Sequence, residues 1–129
     1  MVNPVHKGKK FQWKVARIFA YIFNVDLEEF SSAHGGKTER DIQQSGHAKN
    51  LFPYHVECKH QRTLKIREWV SQAETDAFNE KTGLTPMVIF KFHESTAVYV
   101  IIRLEDFLHA THRLTDKQRL ELRKLEKSG

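Results

Sequence analysis

The segment Phe52 to His60, FPYHVECKH, alternates apolar and polar side chains with a period of two. Tyr54, Val56 and Cys58 form one set, and His55, Glu57 and Lys59 the other. Successive side chains on a strand point to opposite faces, so the segment is expected to be a strand, entered through Pro53, with one core face and one polar face. The core face needs a covering layer, and the flanking segments have the periodicity of helices. In Gly8 to Phe23, the residues Phe11, Val15, Ile18, Phe19 and Ile22 recur at spacings of three and four. Ile66 to Lys81 does the same with Ile66, Trp69, Val70, Ala73, Ala77 and Phe78, and Gly83 is expected to cap it.

The remaining elements follow from similar signals. Asn24 to Gly36 is polar and rich in turn formers, Asp41-Ile42-Gln43 is predicted to be a short strand, and Ser45 to Asn50 a loop. Pro86 to Phe92 and Ala97 to Ile102 are apolar runs joined by a short polar connection, the pattern of a hairpin with both faces covered. Leu104 to His109 predicts a short helix, and Thr115-Asp116-Lys117-Gln118 has the form of a capping box opening a last helix towards Lys127. The expected order is helix, two or three strands, helix, two strands, helix: one mixed α/β domain of 129 residues.

Composition narrows the function classes. No run approaches the roughly 18 apolar residues that span a bilayer, and the N-terminus lacks the pattern of a secretory signal. One cysteine, Cys58, excludes an intrachain disulfide and a cysteine-cluster zinc site, and it fits a reducing cytoplasm. Eight histidines invite a metal hypothesis, but His55-x-x-Cys58 places its two side chains on opposite strand faces, and the histidines are read as surface or partly buried groups. A net charge of +5 suits a polyanionic partner. Lys9 and Lys10 on the first helix, with Arg62, Lys65 and Arg67 after the alternating strand, are candidate phosphate contacts, which position DNA without reading its sequence.

The candidate chemistry lies on the polar strand face. Asp41 and Glu57 are carboxylates at the ends of neighbouring predicted strands, and Lys59 shares a face with Glu57. Phosphodiester hydrolysis needs a water nucleophile, stabilisation of added negative charge and help for the leaving oxygen. Two carboxylates can hold Mg²⁺, a hard ion that prefers oxygen, and the Cys58 backbone carbonyl can add a ligand. A lysine beside the ion can orient water or stabilise charge on the phosphate.

With Asp41 upstream and Gln72 in the following helix, FPYHVECKHQ resembles the PD-(D/E)XK nuclease superfamily, and more narrowly the phage and archaeal-type Holliday junction resolvases. The resemblance covers about residues 8–108 and leaves a C-terminal helix at about 115–127 outside it. It implies a single restriction-endonuclease-like domain, a mixed central β-sheet flanked by helices. It assigns metal binding to Asp41 and Glu57 and catalysis to Lys59, with Gln72 in the glutamine position. The family's serine falls on Ser31 or Ser32. Of Glu39 and Asp41, Asp41 is preferred as the first acid. Where the family often has a glutamate in its first helix, this chain has Gln12, which can still accept a hydrogen bond from a metal-bound water but adds no charge. The resemblance further implies Mg²⁺, with Mn²⁺ able to replace it, a branched four-way DNA substrate, a homodimer, and a setting in the host cytoplasm for a phage protein. Two alternatives stay open: a restriction-like or repair nuclease acting on other DNA, and a DNA-binding module with a decayed site.

Overall fold

The alternating strand forms as expected, and it is covered on both faces. The computed structural model describes residues 4–30 and 41–128. Helix α1 (Pro4–Phe23) precedes a 3₁₀ turn at Leu27–Glu29 and a short helix α2 (Gly46–Leu51). Strand β1 (Tyr54–Lys59), helix α3 (Ile66–Glu80) and strand β2 (Thr85–Phe90) form a β-α-β unit. Strand β3 (Tyr99–Ile101), helix α4 (Leu104–His112) and helix α5 (Asp116–Lys127) complete the chain. The sheet has the order β1-β2-β3, with β1 parallel to β2 and β3 antiparallel to it. This is an α/β domain with a three-stranded mixed sheet flanked by helices, compatible with the restriction-endonuclease-like architecture.

Parallel pairing explains the double cover. A parallel connection needs a crossover, and the crossover helix lies on one sheet face. Val56, Cys58, Met87 and Ile89 pack with Phe11, Val15 and Ala16 of α1. Val88 and Phe90 pack with Trp69 and Ala73 of α3 on the opposite face. Beyond the sheet, Phe19 and Phe23 meet Phe30 and Phe52 in an aromatic cluster, with the Phe19 and Phe52 centroids 4.6 Å apart.

Several local expectations are corrected. Asp41-Ile42-Gln43 is a bend, not a strand, so only β1 precedes α3 among the described residues. Side chains bind the edge of β1 there in place of a ladder. The Gln44 amide donates to the carbonyls of Phe52 and Tyr54, at 3.0 and 2.7 Å, and the Asp41 N–H donates to the Val56 carbonyl at 3.2 Å. The expected loop from Ser45 is α2, because the Ser45 hydroxyl accepts from the Ala48 N–H and caps a helix. Lys81, with φ 55°, is the left-handed residue that ends α3, and Gly83, with φ 75°, serves the turn beyond it.

The apolar stripes are wider than the contacts they make. Ile18 and Ile22 on α1, and Ile66 and Phe78 on α3, are exposed, because each helix meets the sheet along one narrow strip. The hairpin has an open side, with Tyr99 and Val100 exposed on the short edge strand. Helix α4 runs on to His112, three residues beyond its expected end.

Candidate active site

The polar face of β1 lies beneath α3, and geometry explains the match between the two. Two strand residues advance about 6.6 Å. Four helical residues advance about 6 Å. Residues 55, 57 and 59 therefore keep step with residues 80, 76 and 72 on a helix that runs back along the strand. Three contacts realise this ladder. The His55 Nδ1 lies 3.8 Å from the Glu80 carboxylate, ligand atoms of Glu57 and Asp76 lie within 4.8 Å of each other, and the Lys59 Nζ donates to the Gln72 Oε1 at 2.9 Å. His55 and Glu57 are 0% and 2% exposed, so the polar face is a buried polar seam at its inner end, and His55, read as a surface or partly buried group, is fully buried beneath α3. Lys59 is half-buried and Gln72 exposed, which opens the seam to solvent at its outer end.

Asp41 reaches the same place without belonging to a strand. The Cys58 N–H donates to its Oδ2 at 2.6 Å, and the Asp41 backbone is held on Val56. In an extended strand the N–H and C=O of one residue lie on the same edge. The Cys58 carbonyl therefore shares the edge occupied by Asp41, while the Cys58 side chain is buried on the α1 face.

The electrostatics are those of a buried anionic centre. Burial pushes the Glu57 carboxyl up to about 7, and the nearby Asp41 charge adds to this, while His55 and Lys59 oppose it. Burial also raises Asp41, against the Cys58 N–H and the Lys59 charge. Both carboxyls resist ionising unless a cation compensates them. Glu57 Oε1 is buried without a hydrogen-bond partner. Two carboxylates close to each other, with the Cys58 carbonyl on the edge that Asp41 occupies, fit a hard divalent ion. Burial also drives the Cys58 thiol well above its usual range, which makes it an inert packing group.

The sequence-predicted residues divide three ways. The structure brings Asp41, Glu57, the Cys58 backbone, Lys59 and Gln72 together. Gln12 is half-buried next to Phe11, whose ring lies 5.6 Å from that of His60, and among the described residues no hydrogen bond or ion pair joins Gln12 to the carboxylates. Ser31, Ser32 and Glu39 lie outside the described residues. Lys9, Lys10, Arg62, Lys65 and Arg67 are exposed; Arg62 and Lys65 lie on the segment that leads from the Lys59 end of β1 into α3, and Arg67 lies in the first turn of α3.

Sequence reasoning missed His55, Asp76 and Glu80, which line the inner seam. The spacing of four among Gln72, Asp76 and Glu80 matches the polar period of two on β1, but α3 also carries Arg67, Glu68, Ser71, Glu74, Thr75 and Asn79, so the repeat does not stand out in the sequence.

The sequence model of a family described as "Phage putative PDDEXK endonuclease" matches residues 3–127. The match extends through the last helix, beyond the part of the chain that carried the resemblance. No curated protein and no solved structure matches the chain. Nucleases of this kind typically use divalent metal ions, in keeping with the donor set around Glu57.

Proposed function

Because the chain belongs to the phage PD-(D/E)XK endonuclease family, we propose that it is a Mg²⁺-dependent, structure-selective endonuclease that resolves four-way DNA junctions by paired phosphodiester hydrolysis. The observation that carries the reading is that Asp41, on the edge of β1, lies close to Glu57 and Lys59 on its α3 face, with Gln72 holding the lysine. When bound, the metal supplies Lewis-acid stabilisation and makes water a better nucleophile.

The chain's own residues perform the rest. Asp41 and Glu57 would hold the cation together with the Cys58 carbonyl, and the Cys58 N–H fixes the carboxylate of Asp41. The Lys59 ammonium, kept in place by the Gln72 amide oxygen, faces the scissile phosphate. There it stabilises the negative charge that builds as water adds to phosphorus and the bond to the leaving oxygen breaks. Lys9, Lys10, Arg62, Lys65 and Arg67 contact flanking phosphates and set the position of the duplex arms. Two cuts across a near two-fold junction call for a homodimer. The exposed Tyr99 and Val100 on the edge strand are the surface we assign to pairing.

Cleavage of a labelled four-way junction beside a linear duplex of equal sequence, in Mg²⁺ and in EDTA, tests the proposal. Paired, metal-dependent nicks in the junction alone are expected. Equal cutting of both DNAs would replace the junction reading with a general or restriction-like nuclease of the same fold. Tight binding without cutting would favour a non-catalytic module, which the uncharged Gln12 in place of an acid would then explain.

A further inference from the structure

The inner end of the seam is built like a second metal position. His55, Glu57 and Asp76 each offer a ligand atom, and the three atoms lie within 4.8 Å of one another. His55 is fully buried, and neither of its ring nitrogens has a hydrogen-bond partner. Its Nε2 stands 3.6 Å from Glu57 Oε1, too far for a hydrogen bond, and that oxygen is buried and unpaired as well. Buried polar atoms are almost always paired, so two facing each other with a gap between them suggest an occupant that satisfies both. The opposite ring nitrogen, Nδ1, faces the Glu80 carboxylate at 3.8 Å. A carboxylate behind a histidine is the arrangement that fixes the tautomer and aims the other nitrogen at a metal. Asp76 is half-buried, which leaves a way in from solvent.

We infer that His55, Glu57 and Asp76 form a second cation site, selective for a first-row transition ion such as Mn²⁺ or Zn²⁺, that shares Glu57 with the Asp41 position. One imidazole nitrogen with two carboxylates suits such ions, whereas Mg²⁺ favours an all-oxygen shell with several waters. The two positions lie on different sides of Glu57: Asp41 and the Cys58 carbonyl along the edge of β1, His55 and Asp76 beneath α3. The Asp41 position is that of the proposed function, and the second site stands on His55, Glu57 and Asp76. The competing account of the same atoms is an ion-free His55 packed between Glu57 and Glu80.

Mn²⁺ titration of the full chain without DNA, following the free ion by electron paramagnetic resonance, separates the two. The wild-type chain is expected to bind two Mn²⁺, of which excess Mg²⁺ displaces one. Asp76→Asn and His55→Asn should each lose the ion that resists Mg²⁺, and Asp41→Asn should keep it. Should His55→Asn fail to fold, Asp76→Asn, at a half-buried position, decides alone. A wild-type chain that binds no ion resisting Mg²⁺, or an Asp76→Asn chain that retains that ion, overturns the site, whereas loss of only the Mg²⁺-displaceable ion tells against the Asp41 position instead. The nuclease reading survives the overturning of the second site, because junction cleavage in Mg²⁺ depends on the Asp41 position.

Discussion

Glu57 is the residue on which most of the proposed chemistry turns, and its burial has a measurable consequence. Its carboxyl titrates at about 7, against a usual 4.5, because folding removes it from water and places it beside Asp41 and Asp76, with His55 and Lys59 opposing. A carboxyl whose pKa is higher folded than unfolded stabilises the fold in its protonated form. That contribution is full below about 4.5 and is lost as pH rises through about 7. Asp41, also raised, acts in the same direction. Denaturant midpoints of the EDTA-treated protein should therefore fall across this window, and those of Glu57→Gln should fall much less. A wild-type midpoint that rises with pH there would contradict the burial argument. For activity, Asp41→Asn and Glu57→Gln should each lower the cleavage rate by about a hundredfold or more while leaving DNA affinity nearly intact. Gln72→Ala should lower it less than Lys59→Ala, since it frees the ammonium rather than removing it. Single-turnover cleavage with separate binding measurements tests both pairs.

Among the elements, the segment from Asp41 to Leu51 sets the geometry of the site although little of it is regular. Gln44 and Asp41 satisfy the edge of β1 by side-chain bonds, and α2 anchors their far end. Ser45 joins the pieces: its hydroxyl caps α2 and also meets the Glu29 carboxylate, while its N–H donates to the Glu29 carbonyl at 3.0 Å. Ser45→Ala should destabilise the fold by about 1 kcal/mol, the usual value of a helix cap, or somewhat more for the lost carboxylate bond. Because Asp41 hangs on the same segment, its cleavage rate should fall too. A Ser45→Ala protein with an unchanged melting temperature would show that the segment is held elsewhere. Helix α5 is attached differently. Glu105, buried on α4, receives the Arg123 guanidinium through two bonds of 2.9 Å and Arg119 through one of 3.3 Å. The Arg123 side chain beside it holds the Glu105 carboxyl below its usual range.

At the scale of the whole molecule, charge and symmetry govern what is expected with DNA. The net charge of +5 and the exposed Arg62, Lys65 and Arg67 beside the Lys59 end of the site predict affinity that falls steeply with salt. Reversing Arg62 and Arg67 to glutamate should flatten that dependence without abolishing metal binding, as fluorescence anisotropy across a salt series can show. The proposed paired cuts call for a dimer. Val100→Lys on the edge strand should yield a monomer by sedimentation that nicks a junction once instead of twice. A variant that stays dimeric would move the interface to another surface.

The sequence by itself determined the elements whose signal is local. Period-two alternation marked β1, period 3.6 marked α1 and α3, and Thr115 and Gln118 announced α5, whose capping box is present with both hydrogen bonds. The Glu57-Cys58-Lys59 element, with Asp41 before it and Gln72 after it, was legible because the strand period and the family pattern coincide. What remained hidden depends on contacts between distant segments. That Asp41 sits on the edge of β1 without forming a strand follows from the bonds of Asp41 and Gln44 to residues 10–17 positions away, which no local propensity encodes. That His55 and Glu57 are buried follows from the parallel pairing of β1 with β2, which obliges α3 to cross the polar face. Only that crossing sets Asp76 against Glu57 and Glu80 against His55, because a helix and a strand come into step when tertiary packing lays one along the other.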